Sequence, residues 1–112
     1  MTDEELVDAL KALAHPVRLR ILQALSGTER NVGEVDDIAA IGQPTLSQQL
    51  AVLRNAGLVK TRKDAKLVYY RIDDGRPAKV VDAVGKLGGL SAKPMRHLRQ
   101  PAPGVANFAK LG

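Results

Sequence analysis

A chain of 112 residues, 45% hydrophobic but only 3% aromatic, has room for one domain with a modest core of Leu, Ile, Val and Ala. It contains no cysteine, which excludes disulfides, thiol redox chemistry and thiolate metal sites. The net charge is +5 and unevenly placed. Residues 1–37 hold eight acids against four bases, residues 38–82 the reverse, and no acid falls between Ile38 and Lys63. A segment cleared of acids is what contact with a polyphosphate requires.

Thr2-Asp3-Glu4-Glu5 has the form of a capping box, with Thr2 at the cap and Glu5 three residues on. Leu6, Leu10, Leu13 and Ala14 follow at helical spacing and predict one apolar stripe on a first helix. Pro16 suits the first turn of a second helix, where its missing N–H costs nothing. Val17, Ile21 and Leu25 form that helix's apolar stripe, with Leu22 beside them, and Ser26-Gly27 ends it.

Asn31 with Glu34 repeats the capping signature and opens a short third helix carrying Val35, Ile38 and Ala39. Ile41-Gly42-Gln43 is a tight connection, and Pro44 starts a fourth helix. There Leu46, Leu50 and Leu53 recur at i, i+4, i+7 as the core face, while Thr45, Gln48, Gln49 and Val52 point the other way. Gly57 closes the helix in a left-handed cap.

From Leu58 the period changes. Leu58 to Lys63 and Leu67 to Ile72 are β-branched and aromatic-rich runs joined by Asp64-Ala65-Lys66, which predicts a two-stranded hairpin. Tyr69 and Tyr70 fall on opposite faces, one toward the core and one toward a phosphate. Pro77 begins a last helix with Val80, Val81, Val84 and Leu87 apolar, weakened by Gly85, Gly88 and Gly89. After Ser91, Pro94, Pro101, Pro103 and Gly104 break any pattern. Residues 1–90 are therefore expected to be the folded domain, and residues 91–112 a basic tail containing Pro and Gly, with Met95, Leu98 and Phe108 as candidate anchors.

The order is helix, helix, helix, tight turn, helix, basic hairpin, helix. Two short helices around a tight turn make a helix-turn-helix, and a hairpin directly after them is a wing. The expected fold is mainly α with a small β-hairpin, a dimeric winged helix-turn-helix. The outward face of the fourth helix carries amides and hydroxyls where a solvated helix more often carries Glu and Lys. A Gln amide joins a donor to an acceptor and pairs with adenine N6 and N7 in the major groove. Gln43, Thr45, Ser47, Gln48, Gln49 and Arg54 are thus the candidate DNA contacts of this helix, and Arg62, Lys63 and Lys66 those of the wing. The bland alternatives are a polar surface helix and a charged hairpin tip, with Asp64 tempering the charge of the turn.

Four stretches resemble the ArsR/SmtB family of dimeric winged-helix repressors. They are Ala14-His15-Pro16-Val17-Arg18-Leu19-Arg20-Ile21-Leu22, Gln43-Pro44-Thr45-Leu46-Ser47-Gln48-Gln49-Leu50, Leu53-Arg54-Asn55-Ala56-Gly57-Leu58-Val59 and Val68-Tyr69-Tyr70-Arg71-Ile72. The resemblance spans about Glu5 to Asp74, and the second stretch is most similar to the branch that includes persulfide-sensing regulators of biofilm growth and sulfide detoxification. It implies a homodimer through the first and last helices that leaves double-stranded operator DNA when an inducer is sensed. Leu6, Leu10 and Leu13 on the first helix and Val81, Val84 and Gly85 on the last are the candidate dimer contacts.

The sensing positions depart from that pattern. Where metal-sensing members carry cysteines this chain has Glu29-Arg30-Asn31-Val32-Gly33-Glu34-Val35, and where persulfide sensors carry a second-helix cysteine it has Gln23. Asp82 stands alone on the last helix, His15 lies at a helix start where capping is expected, and His97 lies in the tail. The family's usual turn glycine is replaced by Ala40, with Gly42 expected to supply the flexibility. No cofactor, metal site or catalytic group is expected, the inducer is unassigned, and an enzyme is excluded for want of a nucleophile–base pair or carboxylate dyad. An acidic N-terminus and the lack of a long apolar run point to a cytoplasmic protein without membrane contact. The competing readings are an architectural, nucleoid-type DNA binder and a winged helix used for protein contact. The Gln-rich helix disfavours the first, since minor-groove binders rely on Arg and apolar wedges.

Overall fold

The structure is a computed structural model that describes residues 1–89. Its elements are α1 (Asp3–Leu13), α2 (Pro16–Ala24), β1 (Arg30–Asn31), α3 (Val32–Ala39), α4 (Thr45–Asn55), β2 (Val59–Asp64), β3 (Leu67–Ile72) and α5 (Arg76–Leu87). The tail with Met95, His97, Leu98 and Phe108 lies outside the described residues. Met1–Val80 form one compact unit, and the described residues from Val81 belong to a second. Among the described residues no helix is long and apolar enough to cross a membrane.

Local signals place the helix ends. Thr2 Oγ1 accepts from the Glu5 N–H at 3.1 Å while the Glu5 carboxylate accepts from the Thr2 N–H at 2.8 Å. Asn31 and Glu34 make the same reciprocal pair at 2.9 Å each. Each box satisfies two donors that the first turn leaves unpaired. His15 caps α2 through Nδ1, which accepts from the Val17 N–H at 3.2 Å, so this imidazole is occupied in capping. α4 ends in a Schellman turn: Leu58 N–H donates to Leu53 O and Gly57 N–H to Arg54 O, with Gly57 at φ +76.

The core of the first unit is aliphatic. Ile21, Leu25, Val35, Leu46, Leu50, Leu53, Leu58, Val59 and Val80 are its larger members, each 3% exposed or less. Burying side chains of this size contributes roughly 1.5–3 kcal/mol apiece. Tyr70 packs against this core from β3, whereas Tyr69 lies under the Arg62 guanidinium, 4.7 Å from ring centroid to Cζ.

Five expectations are corrected. The hairpin is part of a three-stranded antiparallel sheet ordered β1-β3-β2, because Arg30 and Asn31 pair with Tyr70 and Tyr69. Its turn is shorter than expected, since Asp64 pairs with Leu67 and leaves Ala65-Lys66 as the link, with Ala65 at φ 56. The buried face of α1 is Ala9 and Ala12, with Leu6 and Leu13 half-buried beside it and Leu10 and Ala14 exposed. Alanines allow α1 and its neighbours to approach closely, and that approach turns the larger side chains aside. On α3 Val35 and Ala39 are buried, but Ile38 is exposed. At the turn Ala40 itself takes the left-handed conformation, φ 53 and ψ 52, in addition to Gly42 at φ +85.

In the second unit α5 continues to Leu87, with Asp82 and Lys86 paired at 3.1 Å. Val81, Val84 and Leu87 are exposed along it.

Candidate nucleic-acid interface

One carboxylate links α3 to the turn that leads into α4. Asp36 Oδ1 accepts from the Ile41 N–H at 2.9 Å and from the Gly42 N–H at 2.8 Å. Those two donors belong to the turn between the helices, so Asp36 ties α3 to the entry of α4. Arg20 closes the other side, donating from Nη1 to Ala39 O at 3.0 Å at the end of α3. Sequence reading missed both. In the sequence Asp36 is one of the acids of the N-terminal third, and its place five and six residues before two turn amides is the signal for this role.

α4 then divides cleanly. Leu46, Leu50 and Leu53 are fully buried, while Thr45, Ser47, Gln48, Ala51, Val52, Arg54 and Asn55 are exposed. The outward surface therefore carries hydroxyl, amide and methyl groups and one cation, without a single acid. Thr45, Gln48 and Val52 sit at i, i+3, i+7 and share a stripe. Among the described residues no hydrogen bond engages the Gln48 amide, so its donor and its acceptor are both open.

The other two glutamines are engaged within the protein. Gln43 Oε1 accepts from the Ser47 N–H at 3.3 Å and from Ser47 Oγ at 2.7 Å, standing in for the side-chain cap that Pro44 lacks. Gln49 is half-buried, and its Oε1 accepts from Arg18 Nη1 at 2.8 Å. The structure thus brings Gln43, Thr45, Ser47, Gln48 and Arg54 together at the exposed side of α4 and sets Gln49 at its flank.

The wing separates its cations into two kinds. Lys63 and Lys66 are exposed, and among the described residues neither takes part in an ion pair. Arg62 is held instead. Its Nε donates to both Glu29 carboxylate oxygens at 2.8 and 3.0 Å, its Nη2 pairs with Glu29, and its Nη1 lies 3.7 Å from Asp64. The hydrogen bond from Arg62 holds the Glu29 carboxyl below the usual carboxylate range and pushes the Arg62 guanidinium up. A depressed acid pKa means the pair persists at neutral pH and is lost only as the pH falls through that lowered value. Lys60 likewise holds Asp74 below its usual range by a hydrogen bond at 3.1 Å, with Arg71 adding to it.

Residues 13–62 match the family described as a helix-turn-helix domain. The chain is 46% identical over 80 residues to the biofilm growth-associated repressor of Xylella fastidiosa, covering 71% of this chain and 70% of that one. It is 40% identical over 78 residues to the transcriptional activator HlyU of Vibrio cholerae, with 70% and 72% covered. It is 39% identical over 89 residues to the transcriptional repressor SmtB of Mycobacterium tuberculosis, with 75% and 66% covered. The crystal structure of the transcriptional repressor BigR from Xylella fastidiosa superposes with a TM-score of 0.61 at 42% identity, over 78% of this chain and 96% of that one.

Proposed function

The chain belongs to the ArsR/SmtB family of winged helix-turn-helix transcriptional regulators, and from that premise we propose that it is a repressor that binds a two-half-site operator as a homodimer. Relatives at this similarity are transcriptional regulators, not enzymes and not architectural proteins. The observation that carries the finer reading is the acid-free exposed face of α4 opposite three fully buried leucines. Such a helix is rigidly seated on one side and offers only groups compatible with base edges and phosphates on the other.

In this reading Gln48 is the principal base reader, with Thr45 and Val52 beside it and Gln49 at the flank. A Gln with both amide edges open pairs bidentately with adenine, and Val or Thr methyl groups suit the thymine methyl. Gln43 and Ser47 brace the start of the helix and meet the sugar–phosphate backbone together with Arg54. Lys63 and Lys66 meet phosphates from the wing, and Arg62 contributes there when Glu29 releases it.

Dimerisation is supported separately by each helix expected to make it. α1 leaves Val7 and Leu10 exposed, and α5 leaves Val81, Val84 and Leu87 exposed with Gly85 among them. Leu6 and Leu13, half-buried in the monomer, flank the first set. Two-fold symmetry then demands two related half-sites about one helical turn or a multiple apart. The repressor sign rests on the relatives named repressors, operator occupancy excluding polymerase, and the site of action is the cytoplasm. Domain limits of 1–90 and 91–112 belong to the same proposal.

The test is selection of binding sites from random duplex DNA, with light scattering on the free protein. A palindromic consensus and a dimer mass are expected. A monomer at micromolar concentration, or a consensus without two half-sites, would overturn the dimeric reading. A promoter–reporter carrying the selected site should be silenced by the protein, and activation would reverse the sign.

A further inference from the structure

Arg18 of α2 reaches three groups. Its Nε donates to Ala12 O at 2.6 Å and its Nη2 to Lys11 O at 3.4 Å, both carbonyls in the last turn of α1. Those carbonyls have no partner within their helix and carry the negative end of its dipole, so the guanidinium is anchored there. The remaining arm, Nη1, donates to Gln49 Oε1 at 2.8 Å, across 31 positions of sequence. A guanidinium has donors and no acceptor, so the amide oxygen must be the atom that faces it. That bond uses one of the oxygen's two lone pairs and turns the oxygen toward α2, while among the described residues no hydrogen bond engages the NH2 group. The side chain is only half-buried and keeps surface beside exposed Gln48 and Val52.

We propose that Arg18 is a specificity-determining positioning residue that holds the Gln49 oxygen toward α2 and presents its NH2 to DNA, favouring guanine or thymine at the base it meets. An unengaged Gln recognises adenine by accepting from N6 while donating to N7. With its oxygen drawn to Arg18, the Gln49 amide is turned from the side-by-side pairing that adenine needs, although the oxygen keeps a second lone pair. The NH2 group can donate to guanine O6 and N7 or to thymine O4. The two neighbouring glutamines therefore favour different bases: Gln48 by both amide groups, Gln49 chiefly by its NH2. This inference rests on the sequence-specific reading above and deepens it.

The experiment repeats the site selection with the full chain and three variants. Gln49→Ala identifies the base position concerned, as the one column whose preference it removes. In the wild type that column should be guanine or thymine, favoured over adenine by about fivefold or more, the lower end of what a good base contact supplies. Gln49→Glu keeps an acceptor for Arg18 but replaces the NH2 with a second acceptor, so the column should move to cytosine or adenine. Arg18→Met releases the oxygen, so the column should admit adenine while the other columns stay as they are. Circular dichroism establishes that Arg18→Met is folded, and if it is not, Gln49→Glu decides alone. A wild-type adenine at that column would overturn the proposal. So would an unchanged set of preferences in Gln49→Ala, or a wild-type column in folded Arg18→Met. A wild-type protein that selects no sequence at all would sink the sequence-specific reading itself, a result distinct from any of these.

Discussion

Neutralising single wing cations should separate the free ones from the held one. Lys63 and Lys66 are exposed and take part in no ion pair among the described residues, whereas Arg62 is gripped by Glu29 and faces Asp64. Each phosphate contact on duplex DNA contributes about 0.9 to the slope of log K against log salt. A homodimer makes every contact twice, so Lys63→Ala or Lys66→Ala should flatten that slope by about 1.8. Between 50 and 200 mM salt, a fourfold change, the wild type should lose about 12-fold more affinity than either variant. Arg62→Ala should change the slope by less than half as much, because the carboxylate of Glu29 already balances that charge. Glu29→Gln frees the guanidinium and should steepen the slope instead. The assay is operator titration by fluorescence anisotropy across that salt range. Unaltered slopes for both lysine variants would refute wing contact. An Arg62→Ala effect equal to theirs would show that the Glu29 pair gives way on DNA.

Leu50→Ala removes a side chain with no exposed surface and should cost about 2–5 kcal/mol, seen as a melting temperature about 10 °C lower or more at fixed protein concentration. A drop under about 3 °C would mean that α4 is not seated as described. Ala40→Gly relieves a left-handed alanine and should raise stability by about 0.5–1 kcal/mol in urea unfolding, while Gly42→Ala at φ +85 should lower it; the opposite signs would refute the turn geometry. Polysulfide, oxidant, Zn²⁺ and arsenite should not release the operator at concentrations near that of the protein, since the chain has no thiol. Stoichiometric release in a gel-shift titration by any of the four would overturn that expectation.

Helix starts, the Schellman turn after α4 and the leucine face of α4 were all legible in the amino-acid sequence. They depend on partners three to seven positions apart, so residue order alone specifies them. The order of elements followed, because periods of 3.6 and 2 differ visibly across Gly57. Strand β1 was not legible, since two residues carry no period and Arg30-Asn31 become a strand only when β3 is beside them. The packed face of α1 was misjudged for a related reason. Its larger leucines suggested the core, but close packing chose Ala9 and Ala12. The character of individual contacts was the furthest from reach. Gln49 and Arg62 both read as open, outward-facing groups in the sequence. Arg18 engages the one across 31 positions and Glu29 engages the other across 33. Such pairs are not encoded by any local spacing. They form because the fold brings distant segments within hydrogen-bond range, where a donor-only guanidinium takes the nearest acceptor, and so tertiary structure alone decides which polar groups remain for DNA.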